Sequence, residues 1–187
     1  GTPDQAPARI TVYRDPDFLE ALIDRLVVAS TAYLIRQIDA GAQIVQIFES
    51  FASGLPPALL PRWSFAPMLK IAAGVRAAKP EAKIILFARG AGMALRELAN
   101  RGGMDGLGLD WGVDLDWAAS SLPRSVALQG NFDPLALIAG GRALEAGVDA
   151  ILEAMQGRSH IFNLGHGILP ETPIAHVEAL VKRVRGS

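Results

Sequence analysis

The chain has 187 residues, a formal net charge of −1 and no cysteine. This charge gives no bulk electrostatic reason to expect a nucleic-acid or anionic-membrane partner. The lack of cysteine excludes disulfides, thiolate metal sites and cysteine nucleophiles from the chain, and it fits a reducing cytoplasm. No apolar run reaches the roughly 18 to 20 residues that a membrane-spanning helix needs.

The predicted elements alternate between helices and apolar strands. The opening segment, GTPDQAPARITVYR, has no Met, is rich in polar residues and predicts a loop, as if the chain began within a longer protein. Helices are predicted from Asp15-Pro16 to Gly41, at 63–78, 93–100 and 113–120, from Pro134, at 142–155, and from Thr172-Pro173 to Arg185. Strands are predicted at 43–48, 83–88, 105–111 and 126–131, and the segment 160–167 is predicted to hold the fifth strand and its exit loop.

This order of one helix followed by five β/α units predicts an α/β fold with a parallel sheet and right-handed crossovers. The strands are apolar throughout, which is typical of strands covered on both faces. Five units are too few to close an eight-stranded barrel. The pattern therefore fits either an open doubly wound sheet or part of a barrel, and it does not choose between them.

Ligands of parallel β/α folds bind beyond the carboxyl ends of the strands, so the residues after each predicted strand form the candidate site. After the first strand, Ser50 is placed either to donate to a substrate carboxylate or to cap the next turn. After the second, the loop from Arg89 to Gly92 fits a tight turn better than an anion-binding loop. It lacks the GxGxxG spacing of dinucleotide sites.

The third and fourth strand ends carry three polar residues. Asp110 is interpreted as an acid or base, or equally as an acceptor for backbone amides or an arginine partner. Asn131 is expected to hold its loop, and Asp133, directly before Pro134, to cap a helix.

Histidines are informative because only three occur in the chain. His166 lies between two glycines after an apolar strand, which favours an imidazole free to reach into a cleft. His160 begins a strand and is expected to be structural, and His176 lies on the last helix and is expected to be solvated. The three lack HxH and HExxH spacing and no cysteine is available, so no metal site is predicted.

Several segments together resemble a known family. They are AQIVQIFES (42–50), GLDW (108–111), LQGNFDP (128–134) and FNLGHGILP (162–170), in that order. The combination resembles uroporphyrinogen decarboxylases over essentially the whole chain, and it is more specific than any single glycine-rich loop.

The resemblance implies a (β/α)8 barrel about twice this length, of which residues 1–187 would be the C-terminal part with the last five units. It implies cytoplasmic, cofactor-free decarboxylation of uroporphyrinogen III to coproporphyrinogen III, by a homodimer. Ser50 and His166 would contact the substrate's carboxylates, and Phe48 would line an apolar wall. No catalytic residue is expected in this chain, because the family's Arg-rich, Asp and Tyr motifs would lie in the absent N-terminal part. The isolated chain is therefore expected to be inactive.

Three alternatives stay open. A related methyltransferase acting on corrinoid or thiol substrates would need a His and Cys zinc site, which the lack of cysteine disfavours. A non-catalytic barrel fragment would only pack against a partner, because half a barrel exposes strand edges and apolar surface. A phosphate-binding barrel enzyme would use the loop at Arg89.

Overall fold

The computed structural model describes residues 4–186, and Gly1–Pro3 and Ser187 lie outside the described residues. The chain divides into two compact units, residues 1–105 and 106–187. In both units parallel strands alternate with helices. The predicted α/β class with parallel strands is therefore confirmed.

Helix α1 occupies Ala6–Arg14 in the first unit, where the sequence predicted a loop. Asp4 Oδ1 accepts a hydrogen bond from the Ala6 amide at 3.1 Å, and Pro7 suits the first helical turn. Only Val12 is buried in this helix. The prediction was wrong because the Asp4 contact and Pro7 suit the start of a helix although the apolar periodicity is weak, while the N-cap residue Gln5 makes no side-chain cap bond.

Helix α2 spans Pro16–Asp39, as predicted. Asp15 Oδ1 accepts from the Phe18 amide at 3.1 Å, and Gly41 follows the helix with a φ of 106°. Three exposed ion pairs link α2 to the segment that follows the first strand: Glu20–Arg62, Asp24–Lys70 and Asp39–Lys79. Exposed pairs contribute little stability, so they mainly fix which face of α2 packs inward.

Strands β1 (Ile44–Glu49) and β2 (Lys83–Ala88) pair in parallel, with Ile44 opposite Lys83 and Glu49 opposite Ala88. Helix α3 (Ala66–Ala78) connects them and helix α4 (Leu95–Arg101) follows β2. Short 3₁₀ turns at Ala52–Gly54, Pro57–Leu59 and Gly92–Ala94 and a π-helical turn at Pro61–Phe65 complete the unit. Both predicted strands and the predicted helices are confirmed to within a few residues.

Asp105 fastens the start of β2 to the end of the first unit. Its carboxylate accepts from Arg76 at 2.8 Å, from the Ile84 amide at 3.0 Å and from Lys83 at 3.3 Å. Its own amide donates to the Ile84 carbonyl at 2.9 Å. Burial opposes ionisation, but the hydrogen bonds from Arg76, Ile84 and Lys83 outweigh it and lower the pKa of Asp105 below its ordinary value.

The second unit holds three short strands, which pair in parallel in chain order: β3 (Gly106–Gly108), β4 (Ala127–Gln129) and β5 (His160–Ile161). Its helices are α5 (Leu115–Ser121), α6 (Pro134–Ala139), α7 (Gly141–Ala154) and α8 (Ile174–Arg185). The strands are shorter than predicted because the chain turns soon after each of them. At Gly130, φ is 128° and a Cβ atom would lie 2.5 Å from the Leu109 carbonyl oxygen.

Arg158 bonds to the backbone that precedes β4, a role that was not predicted from the sequence. Its guanidinium donates to four carbonyls at 2.9 to 3.3 Å, those of Ala119, Leu122, Pro123 and Val126. Burial lowers its pKa, and the nearby charge of Arg124 lowers it further. The side chain thereby satisfies carbonyls at the end of α5 that would otherwise lack partners.

Asp105→Asn is expected to reduce the free energy of unfolding by about 1–2 kcal/mol at neutral pH, because a neutral amide cannot keep both cationic partners. Since the pKa of Asp105 is lowered in the fold, its contribution is complete above the ordinary carboxyl pKa of about 3.9 and is lost as the pH falls below it. Urea unfolding followed by circular dichroism between pH 7 and pH 3 measures both effects.

The matched control is Glu81→Gln, which removes an exposed carboxylate from the same unit. We expect it to change the free energy of unfolding by less than about 0.5 kcal/mol. The account of Asp105 fails if the two variants lose equal stability at pH 7, or if the deficit of Asp105→Asn is undiminished at acid pH.

Candidate functional site

Ser50 immediately follows β1 and is half-buried in the turn there. The turn is capped by its neighbour, because Glu49 Oε1 accepts from the Phe51 amide at 3.0 Å. Within residues 4–186 the Ser50 hydroxyl makes no hydrogen bond of its own. The sequence left open whether Ser50 caps this turn, and the structure gives that task to Glu49.

Phe48, the aromatic residue of β1, is 64% exposed. Its ring meets the buried Phe87 ring of β2 edge to face, with centroids 5.8 Å apart. The ring is thus supported from beneath and keeps an open apolar face at the carboxyl end of this strand pair. This arrangement is compatible with the predicted apolar wall.

The loop from Arg89 to Gly92 packs against the loop after β1. The Arg89 amide donates to the Glu49 carbonyl at 2.9 Å, and the Arg89 carbonyl accepts from the Ser53 amide at 3.0 Å. Gly90 has a φ of 73°, and a Cβ there would lie 2.5 Å from Ser53 Cβ. Close packing of two loops therefore accounts for this glycine, which supports the tight-turn interpretation over the anion-binding one.

The polar residues after β3 and β4 hold the backbone of the second unit. Asp110 Oδ1 accepts from the Gly112 amide at 2.9 Å, and the buried Asn131 carboxamide donates to the carbonyls of Asp110 and Val113 at 2.9 and 2.8 Å. Asp133 accepts from the Leu135 amide at 2.8 Å at the start of α6. The expected roles of Asn131 and Asp133 are confirmed, and Asp110 accepts a backbone amide, one of its predicted alternatives.

His166 is exposed in the loop after β5. Its imidazole meets the Trp111 indole nearly at right angles, 85° between planes and 5.9 Å between centroids. Its ring nitrogens have no hydrogen-bond partner in the described part of the chain. No role was predicted for Trp111, although a Trp directly after a strand-end Asp was a visible signal.

The two glycines beside His166 have different structural roles. A Cβ on Gly165 would lie 2.3 Å from the Trp111 amide nitrogen, whereas one on Gly167 would have no heavy atom within 4 Å. Gly165 therefore allows the β5 loop to touch the β3 loop directly. Gly167 leaves open space beside the imidazole. The sequence had predicted that role for both glycines.

The other two histidines bond to backbone carbonyls. His160 Nε2 donates to the Gly130 carbonyl at 2.7 Å, and burial lowers the pKa of this imidazole despite that bond, which agrees with the expected structural role. His176 was predicted to be solvated, and this is wrong. It is half-buried and its Nδ1 donates to the Leu137 carbonyl at 2.9 Å, because Gly140 lets the ring approach closely.

Residues 4–186 contain neither a cluster of metal ligands nor a membrane-spanning helix. No group of three or more His, Asp or Glu side chains there is arranged to hold a metal ion. None of the helices in that range is both long enough and apolar enough to cross a membrane.

Comparison with solved structures gives a strong fold match. A methyltransferase from Methanosarcina mazei superimposes with a TM-score of 0.83 at 23% identity, covering 95% of this chain and 52% of the other. At this identity the likeness shows a shared fold and nothing about activity.

Sequence comparison gives the family. The model of the family described as uroporphyrinogen decarboxylase (URO-D) matches residues 1–187. Proteins named uroporphyrinogen decarboxylase from Mesorhizobium japonicum and Sphingopyxis alaskensis are 52% and 48% identical, and the alignments cover all of this chain and 54% of each relative. The chain thus spans about half the length of the curated relatives that it matches. The resemblance drawn from the FES, LQGNFDP and FNLGHG segments is confirmed, and the chain belongs to the uroporphyrinogen decarboxylase family.

Proposed function

We propose that this chain is the C-terminal part of an enzyme that decarboxylates uroporphyrinogen III to coproporphyrinogen III in tetrapyrrole biosynthesis. The observation that carries the proposal is 48–52% identity, over the whole chain, to relatives named uroporphyrinogen decarboxylase. Family membership favours a barrel over an open doubly wound sheet. In this proposal the chain supplies the last five β/α units, and the first three units come from a segment before it.

The chemistry sets what the protein must provide. When an acetate side chain loses CO2, its C–C bond breaks and the electron pair passes into the attached pyrrole, provided that the pyrrole is first protonated. A proton then converts the former acetate carbon to methyl, and the ring loses its extra proton. Charged groups that steady the protonated pyrrole supply the main rate effect. We place those groups outside this chain.

Within the chain, His166 and Ser50 are proposed to bind and orient substrate carboxylates. Each follows the carboxyl end of a strand in its own unit, where ligands of parallel β/α folds bind. Neither side chain has a hydrogen-bond partner in the described part of the chain, so each has donor capacity left for a carboxylate. Such contacts act by positioning the reacting group rather than by transferring protons. Phe48 is proposed to contact the apolar macrocycle.

The working enzyme is proposed to be a cytoplasmic homodimer. The surface of helices α1 and α2 favours contact with another segment or subunit. These helices expose seven large apolar side chains, namely Ile10, Tyr13, Phe18, Leu22, Leu26, Val28 and Tyr33. Exposed apolar patches of this kind typically mark association surfaces. An N-terminal segment or a second subunit would cover them.

The chain alone is expected to have no measurable decarboxylase activity, because the groups that steady the protonated pyrrole lie elsewhere. Mixing it with the N-terminal segment of the Mesorhizobium japonicum relative that it does not match should restore turnover of uroporphyrinogen III. Product formation is followed by chromatography of the oxidised porphyrins, and native mass spectrometry reports the assembly. Turnover by the isolated chain at a normal enzymatic rate would contradict the proposal, as would a stable but inactive complex.

In the reconstituted enzyme, His166→Ala should lower kcat/KM by about 10- to 100-fold, since hydrogen bonds to charged groups contribute about 1.5–3 kcal/mol. Ser50→Ala should lower it by about 3- to 30-fold, because the lost donor is neutral. The matched control is Ser53→Ala, the same change three residues further along the loop, which should alter kcat/KM by less than about twofold.

Circular dichroism must show the same folded signal for all variants. If His166→Ala loses that signal, the residue is structural and its proposed contact with substrate is wrong. If Ser50→Ala and Ser53→Ala behave alike, the hydroxyl of Ser50 does not bind the substrate.

A further inference from the structure

Trp111 is the side chain that touches His166, and the proposed function gives it no task. It follows β3 by three residues and is 43% exposed, although the residues on either side of the turn, Leu109 and Val113, are buried. The contact of its indole with the His166 ring gives it a candidate role.

The turn that carries Trp111 is rigidly held. The Val113 amide donates to the Asp110 carbonyl at 3.1 Å, and the Gly112 amide donates to Asp110 Oδ1 at 2.9 Å. Asn131, only 7% exposed, adds two further bonds from its single carboxamide nitrogen to the carbonyls at both ends of the turn. Such a buried and satisfied network fixes the path of the backbone, and with it the base of the indole.

The loop that carries His166 is fastened to the same framework. The Gly165 amide donates to the Phe132 carbonyl at 2.7 Å, and the Phe132 amide donates to the Asn163 carbonyl at 3.0 Å. Gly165 also lies directly against the Trp111 backbone, since a Cβ on it would fall 2.3 Å from the Trp111 nitrogen. The backbone beside Trp111 and the backbone beside His166 are therefore both fixed by hydrogen bonds, independently of the contact between the two rings.

The two rings complete the arrangement. A perpendicular approach at 5.9 Å lies in the range that aromatic rings favour, because the electron-rich face of one ring attracts the positive edge of the other. An imidazole without a hydrogen-bond partner would otherwise sample several rotamers. Among residues 4–186 the indole is the one aromatic ring packed against it, so it restricts the direction in which the ring nitrogens point.

We propose that Trp111 is a positioning residue for His166, holding the imidazole edge-on so that it meets a substrate carboxylate in one orientation. This proposal rests on the proposed role of His166 in binding substrate. Trp111 acts here through the imidazole and has no part in proton transfer. It differs from the Asp110 and Asn131 side chains, which bond to the backbone of the turn.

The first test observes His166 directly in the 187-residue protein. Ring currents of an adjacent indole displace the imidazole proton resonances, so Trp111→Ala should move the His166 signals toward the values of a free histidine. Trp111→Phe keeps an aromatic ring and should retain part of the displacement. The signals of His160 and His176, which bond to carbonyls elsewhere in the unit, serve as internal controls and should stay in place.

The second test is a double-mutant cycle on the affinity for uroporphyrin, the stable oxidised form of the proposed substrate. Trp111→Ala alone should weaken binding by about 2- to 10-fold, the range that aromatic pair energies imply. In a His166→Ala background the same change should weaken it by less than about twofold, because the group that it positions is gone. Trp111→Phe should restore most of the affinity.

The outcomes separate the two ideas. Unmoved His166 resonances in Trp111→Ala, or equal losses of affinity in both backgrounds, overturn the positioning role. If the resonances move as expected but His166→Ala binds uroporphyrin as well as the unaltered protein, Trp111 does orient the imidazole and the proposed substrate role of His166 is wrong. If Trp111→Ala unfolds, Trp111→Phe decides: a partial shift of the His166 resonances toward free-histidine values with most of the affinity kept supports the proposal, and unmoved resonances overturn it.

Discussion

The second unit depends on one buried carboxamide. Asn131 donates to the carbonyls of Asp110 and Val113 and so joins the end of β4 to the turn after β3. Both carbonyls lie where the strand ladder has ended, and a buried carbonyl without a partner costs about 1–3 kcal/mol. Removing the amide would take away two of the bonds that hold the turn that carries Trp111 and leave those from the Val113 and Gly112 amides.

This constraint separates two kinds of polar residue at the strand ends. The carboxylates of Glu49, Asp110 and Asp133 accept hydrogen bonds from backbone amides of nearby turns and helices, and Asn131 donates to backbone carbonyls. Ser50 and His166 lie beside them with no such partner in the residues that the structure describes. The proposed function uses this second pair, because a hydroxyl and an imidazole can each donate a hydrogen bond to a carboxylate of the proposed substrate.

The sequence predicted the order of helices and strands well, because capping residues and apolar runs are local signals. Asp15, Asp133 and Gly41 act where they were expected to act. Helix α1 was missed since its single buried residue leaves almost no periodic pattern. The strands of the second unit were predicted too long, because an apolar run does not show where the hydrogen bonds between strands end. After β4, for example, the chain turns directly at Gly130.

The candidate site was predicted in part. Ser50 and His166 were predicted from their position after strands and from the family resemblance, and their contact with substrate stays a prediction. What sequence could not show is which partners polar groups choose across distances of 20 or more residues, such as Asn131 with Asp110 or His176 with Leu137. The same limit hid Arg158, whose four carbonyl partners lie 32 to 39 residues away along the chain.

The central claim is that the imidazole of His166 binds a substrate carboxylate while the other two histidines only support the fold. Selective ¹⁵N labelling of histidine gives three residues to observe, and titration with uroporphyrin in the reconstituted enzyme tests the claim directly. We predict that the ring nitrogen resonances of His166 shift as the ligand saturates, while those of His160 and His176 stay fixed by their carbonyl partners. Unchanged His166 resonances at saturation, with bound uroporphyrin confirmed by its absorbance, would contradict the account.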